Sequence, residues 1–373
     1  MSIRDRILCV YNGKKPDCVP FVLDLSHWFY HHYRRAWDLT MPYHKPDIDL
    51  IDIHKKFKAG FYVPILNIGW RAVYPADVRY SVWKENFNGI SSIVWEYETP
   101  FGKIRRRRIW EEKSYSWPIV DWAVKDKQGI EILQYALSKR EFFPEFDSYN
   151  EWNNAVGDIG IVYMPFGYSA MGMLLNLWMG VEGTIYAICD MESAVVEFVE
   201  AVNENNLKLV DLLCESPAEV ILMGDNFSAD IQSPRFFERW SKSFYCEAIK
   251  RFHKAGKKVA VHIDGRLRGC LRMITETKAD CGDAITPLPA GDLSPMDCRI
   301  EAGDDFILSG GISPTLWLGE VNQKKFERAV VEWLSTKDKS FRLMAAAGDQ
   351  VPPGAEISRI ILMREMVNHY GRF

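Results

Sequence analysis

Eight short apolar runs recur along this chain, with helical stretches between nearly all of them. They cover residues 17–25, 60–67, 158–166, 218–225, 258–264, 279–287, 304–311 and 340–349, and most close on Gly, Pro or Asp. Parallel strands need crossover connections, and eight of them close a cylinder that side chains can fill. The pattern predicts an α/β fold, a (β/α)8 TIM barrel, spanning 1–373 as a single domain. Such barrels place their chemistry at the carboxyl ends of the strands. The residues that finish the runs are therefore the candidates for function: Asp24, Asp225, His262 with Asp264, Asp283 and Asp349.

One stretch breaks the rhythm. Between about 78 and 117, apolar and polar residues alternate (Ile93, Trp95, Tyr97, then Ile104, Arg106, Arg108, Trp110), which is the period of a half-exposed strand pair. A β-hairpin insertion between strands two and three is expected, turning at Thr99-Pro100-Phe101-Gly102 and forming a lid or wall beside the barrel mouth. The run Arg105-Arg106-Arg107-Arg108 lies in this hairpin and reads as a solvated strand face. Hydrophobic residues make up 47%, enough for a closed core and an outer helical ring, and the net charge of -4 gives no electrostatic case for nucleic acid. No apolar run approaches the roughly 18 residues of a membrane span. The charged start Met1-Ser2-Ile3-Arg4-Asp5 lacks a leader's apolar core, and the eight cysteines form no CxxC pair. Both point to a cytoplasmic protein without disulfides.

Helical spacing predicts an amphipathic helix within residues 1–16 that closes the barrel floor, a long helix over 193–213, and one that Ser233-Pro234 caps and Gly256 ends. Val330–Leu334 and 357–367 supply the last two apolar helix faces.

The sharpest chemical signal is Val261-His262-Ile263-Asp264-Gly265. Positions i and i+2 on a strand share a face, so His262 and Asp264 point the same way at a strand end. An imidazole beside a carboxylate suits a general acid–base pair or a metal site. Gly224-Asp225-Asn226 closes the fourth run, where Asp225 either faces the mouth or caps a local turn. Asp283 is placed to line a pocket, and Asp292 to cap the next helix. Gly310-Gly311 lets backbone approach a ligand. After the first strand, His27, Trp28, Phe29, Tyr30, His31, His32 and Tyr33 offer packing or pocket walls; His27 and His31 stand one helical turn apart and suit a metal as the minor alternative.

These motifs resemble the uroporphyrinogen decarboxylase superfamily, which also holds the methylcobamide:coenzyme M methyltransferases. The resemblance runs from Arg4-Asp5-Arg6-Ile7 and Lys15-Pro16-Asp17-Cys18-Val19-Pro20 through Thr99-Pro100-Phe101-Gly102, Gly224-Asp225-Asn226 and the His262 segment. It continues to Gly310-Gly311-Ile312, Pro352-Pro353-Gly354-Ala355 and Tyr370-Gly371. The family's decarboxylases grip substrate carboxylates with an Arg-rich motif after the first strand; here that segment reads Asp24-Leu25-Ser26-His27-Trp28-Phe29-Tyr30, with no Arg before Arg34. Its methyltransferases carry a His-x-Cys zinc site, in which His262 matches the His and Asp264 stands at the Cys; a harder His262/Asp264/Asp349 set would suit oxygen over a thiol.

The resemblance implies a methyltransferase that moves a methyl group between a small substrate, methoxylated and aromatic in the leading version, and a corrinoid on a partner protein. Zn2+ at His262, Asp264 and Asp349 is an expected cofactor. His262, Asp264, Asp225 and Asp24 are the expected catalytic residues. His27, Trp28, Tyr30, Trp70, Tyr74, Asn226, Asp283, Gly310 and Gly311 are the expected substrate contacts. The alternatives are a carboxy-lyase of tetrapyrrole metabolism and a non-catalytic barrel that binds corrinoid or tetrapyrrole.

Overall fold

The structure is a computed structural model and describes residues 1–40, 45–62 and 68–373. Six parallel strands form a continuous run: Met164–Gly167, Val220–Phe227, Lys258–Ile263, Cys281–Ile285, Ile307–Ile312 and Leu343–Ala347. Residues 21–22 and 60–61 close the cylinder. Ala345 N–H donates to Pro20 C=O at 2.9 Å, and Val22 N–H returns a bond to Ala345 C=O at 3.0 Å. Leu23 N–H reaches Gly60 C=O, and Phe61 pairs in parallel with Gly160. We number these barrel strands one to eight in chain order, starting from residues 21–22. The last part of the run expected over 60–67, and the end of the aromatic stretch at Tyr43, lie outside the described residues.

Alternation on the strands sorts the core into two shells. Val22, Tyr62, Ile161, Tyr163, Val220, Ala260, Cys281, Ile307, Met344 and Ala346 fill the barrel. Their neighbours one residue on or back, such as Leu23, Ile221, Val261 and Leu308, pack against the outer helices. The first helix, Ile3–Tyr11, begins with a Ser2/Asp5 capping box and buries Ile7, Val10 and Tyr11 under the floor. Arg4 ties it there through Gly160 C=O at 3.2 Å and Asn153 Oδ1 at 3.1 Å.

Between strands two and three the chain makes an antiparallel sheet of four strands, Arg79–Phe87, Ile90–Thr99, Gly102–Ile109 and Ile119–Asp121. Thr99 pairs with Gly102 across the expected turn. A separate pair, Gly69–Val73 with Glu141–Glu145, forms the stalk of this excursion. Its inner face (Ile93, Trp95, Tyr97, Ile104) packs on the segment after strand three, Ala170–Met173 followed by a π-helical turn Leu174–Trp178. The arginine run is not a solvated face. Arg105 is exposed, Arg106 is buried and Arg108 is largely covered, because alternate side chains turn inward. The helix capped by Ser233 breaks at Ser241 into Pro234–Trp240 and Lys242–Lys254. No helix among the described residues is long and apolar enough to cross a membrane.

Candidate active site

Two residues along a strand from a barrel-filling side chain lies the next inward position, and at the upper ends of three strands that position is polar. Val22 leads to Asp24, Ala260 to His262 and on to Asp264, and Cys281 to Asp283. His262 and Asp283 sit side by side in register on adjacent strands. The imidazole Nδ1–H donates to Asp283 Oδ2 at 3.0 Å, while Asp283 Oδ1 is buried without a partner among the described residues. Burial opposes a charge on His262. The hydrogen bond and attraction from Asp283, helped by Asp349 and Asp264, outweigh it and lift the imidazole to about 9. At neutral pH His262 is therefore an imidazolium, anchored through Nδ1 with Nε2 left for another group.

Strand six is distorted where it carries Asp283. Its register against strand seven shifts between Gly282 and Ile285, and Ala284 holds a left-handed φ of 62°. Such a bulge re-aims the side chains beside it.

The neighbouring carboxylates form a linked set. Asp24 Oδ1 accepts from Ser26 N–H at 2.9 Å, and Oδ2 accepts from Gln350 Nε2 at 3.2 Å. Burial nonetheless raises its pKa, and Asp349 adds to the rise. Asp349 is itself raised by burial, against the pull of His262 and with the repulsion of Asp264 and Asp283. Tyr62, inside the barrel, is pushed up by burial and then by the charges of Asp283, Asp24 and Asp349. Asp264 is exposed at the mouth, where its N–H bonds Phe227 C=O at 2.7 Å.

Asp225 belongs to the other shell. It continues the outward row of Ile221 and Met223 and is fully buried. Ser169 N–H donates to its Oδ1 at 2.7 Å and the Ser169 hydroxyl to Oδ2. A Cβ on Gly172 would meet Oδ1 at 2.2 Å, so the carboxylate is wedged against the helix after strand three. Burial pushes it up to about 6 despite those bonds. Tyr168, the residue before Ser169, links this region to the mouth. Burial raises it first, then Asp225; Arg108 and Arg106 pull the other way, and Asp264 adds to the rise.

The aromatic candidates pack rather than converge on His262. Trp28 is buried with its indole N–H on Ala355 C=O at 2.8 Å, and the Tyr30 hydroxyl donates to Asp47 at 3.0 Å. His27 Nε2 lies 3.0 and 3.1 Å from the Ser114 and Tyr115 carbonyls, pinning the insertion to the loop after strand one. His31 meets the Tyr115 ring edge-on. Trp70 donates to Pro165 C=O at 2.8 Å, near strand three, and Tyr74 bonds the Tyr97 hydroxyl within the insertion. Asn226 is half-buried with φ 51°. A Cβ on Gly310 would strike Ile285 O at 2.2 Å, and one on Gly311 the Trp333 ring at 2.3 Å, so these glycines allow strand and helix to approach. Asp292 caps the turn after strand five, accepting from Leu267 N–H at 2.8 Å, while Ser294 caps the next helix.

The zinc set expected at His262, Asp264 and Asp349 is not gathered. Among the described residues no three His, Cys, Asp or Glu side chains come together as a metal would need. His262 Nδ1 is turned to Asp283, and Asp264 stands out at the exposed rim. Sequence reading missed Tyr62, Tyr168, Gln350 and the inward arginines Arg106 and Arg108. The inward parity of the strands was the signal that could have found Tyr62 and the arginines.

The structure is thus a parallel eight-stranded α/β barrel with a His262–Asp283 pair at the carboxyl ends of its strands. The chain belongs to the uroporphyrinogen decarboxylase family, whose model, uroporphyrinogen decarboxylase (URO-D), matches residues 150–370. A solved methyltransferase from Methanosarcina mazei superposes with a TM-score of 0.64 at 14% identity, over 99% of each chain. At that identity the likeness establishes the shared fold. No curated protein matches the sequence.

Proposed function

We propose that this barrel is a methyltransferase whose His262 protonates the heteroatom that a methyl group leaves. The His262–Asp283 pair carries this reading: a group at about 9 beside an open mouth is a general acid at neutral pH. As the methyl–heteroatom bond breaks, the heteroatom takes the proton from Nε2. Asp283 keeps Nδ1 fixed and stabilises the charge before transfer, and Asp349 and Asp264 hold the local field negative. Asp24, braced by Ser26 and Gln350, and Tyr62 form the floor on which the substrate rests.

A corrinoid carried by a partner protein supplies, when bound, a strongly nucleophilic cobalt that accepts the methyl group. The exposed strand-five end at Asp264 fits an acceptor delivered from outside better than one held within the barrel. The family match and the methyltransferase of like fold support this reading. No step is assigned to zinc, because the donors are not gathered.

The test is single-turnover methyl transfer from methoxylated aromatic compounds to free cob(I)alamin, followed by its absorbance change. Transfer by the native protein and its loss in His262→Gln support the proposal. Carbon dioxide release from uroporphyrinogen without methyl transfer would replace it with the carboxy-lyase reading.

A further inference from the structure

The four consecutive arginines of the insertion are treated unequally. Arg107 faces outward and pairs with Glu85 at 2.8 Å and Asp121 at 3.9 Å, with its guanidinium over Phe87. Arg106 and Arg108 face inward, toward the segment after strand three, and neither has a carboxylate within ion-pairing distance among the described residues. All three of these side chains are largely covered, yet only Arg107 has carboxylates beside it, and Arg106 and Arg108 carry buried charge without one.

Arg106 is 6% exposed, with its guanidinium 4.6 Å from the Trp95 ring and 4.4 Å from the Trp178 ring. Both rings engage the cation through their π-systems, and Nη1 donates to Leu177 C=O at 2.9 Å. Its Nε–H is buried with no acceptor among the described residues. Arg108 uses Nη1 on Trp117 C=O at 2.8 Å. Burial and mutual repulsion depress Arg106 to about 10, the response of a cation held without a counter-ion. Tyr168 lies just past the end of strand three; burial raises it most, Asp225 and Asp264 add to the rise, and Arg108 and Arg106 oppose it.

We propose that Arg106, Arg108 and Tyr168 form an anion subsite that holds a carboxylate on the substrate, the tail of a molecule whose reacting end lies at His262. Arginine forks match a planar carboxylate bidentately. The subsite thus defines the substrate as a small carboxylic acid. The link between this tail and a methyl group rests on the methyl-transfer reading; the subsite itself does not.

Binding alone tests it. Calorimetric titration and tryptophan fluorescence, sensitive to Trp95 and Trp178, would compare 3-methoxybenzoate with neutral 3-methoxybenzyl alcohol. The acid should bind at least tenfold tighter. Arg108→Gln should weaken the acid roughly tenfold to a hundredfold and leave the alcohol unchanged. Arg108→Lys, with the charge but not the fork, should fall between them, and matching circular dichroism would show that both variants fold. Equal affinity for acid and alcohol, no binding of either, or an Arg108→Gln variant as tight as the native protein would overturn the subsite. Tighter binding of inorganic phosphate than of the acid would overturn the carboxylate assignment. Acid binding without methyl transfer would count against the reaction alone.

Discussion

At the residue scale, two groups titrate in opposite roles, the partly covered His262 and the buried Asp225. His262 has a folded value near 9 against 6.5 for a free imidazole, so its pair with Asp283 contributes stability in full below about 6.5. That contribution is lost as pH rises through 9. The melting temperature of the native protein should therefore fall between pH 7 and pH 10 more steeply than that of His262→Gln. If His262 is the acid, kcat should decline through the same range, Asp283→Asn should move that limb toward 6.5, and His262→Gln should cost about 100- to 10,000-fold in kcat. Asp225 is also raised, from 3.8 to about 6, but as a carboxylate whose charged form is disfavoured. Its protonated form favours the fold below about 3.8, and that advantage, on the order of 3 kcal/mol, disappears as pH rises through 6. Denaturant titrations at pH 4 and pH 7 should show Asp225→Asn losing less stability over that interval than the native chain. The sequence made His262 legible as chemistry because a polar pair ends an apolar strand. It left Asp225 ambiguous, since only the row shared with Ile221 and Met223 shows that it faces the helices.

At the element scale, the apolar runs located every barrel strand because parallel strands buried on both faces read as continuous hydrophobic segments. The excursion was legible only in its local part. Ile90–Thr99 and Gly102–Ile109 are joined by a short turn, whereas Gly69–Val73 pairs with Glu141–Glu145 across the whole insertion, and no local pattern reports such a contact. The glycines of strand seven were read as room for a ligand; the structure fills that room with Ile285 and Trp333. Gly310→Ala, at φ 146° and facing a backbone oxygen, should destabilise the protein by about 3 kcal/mol or more in urea titrations. A loss under about 1 kcal/mol would mean that strands six and seven can part without cost.

At the scale of the whole molecule, the barrel is closed by its first strand against its last, so the region matching the family model, 150–370, carries only strands three to eight. Expressed alone, residues 150–373 should expose two unpaired strand edges and the apolar barrel interior. Dye binding to exposed apolar surface and loss of near-ultraviolet dichroism would show this; a native-like cooperative melt would contradict it. The insertion has a different global effect. His27 holds its 114–115 loop, Trp117 donates to Trp37 C=O at 2.7 Å, and Arg106 grips the turn after strand three, which fastens one flank of the rim to the loop after strand one. On the opposite flank, Asp264 and Leu288 stand open to solvent in the loops after strands five and six. The described part of the rim is therefore asymmetric: the strand-one side is tied down by the insertion, while the loops after strands five and six present Asp264 and Leu288 to solvent.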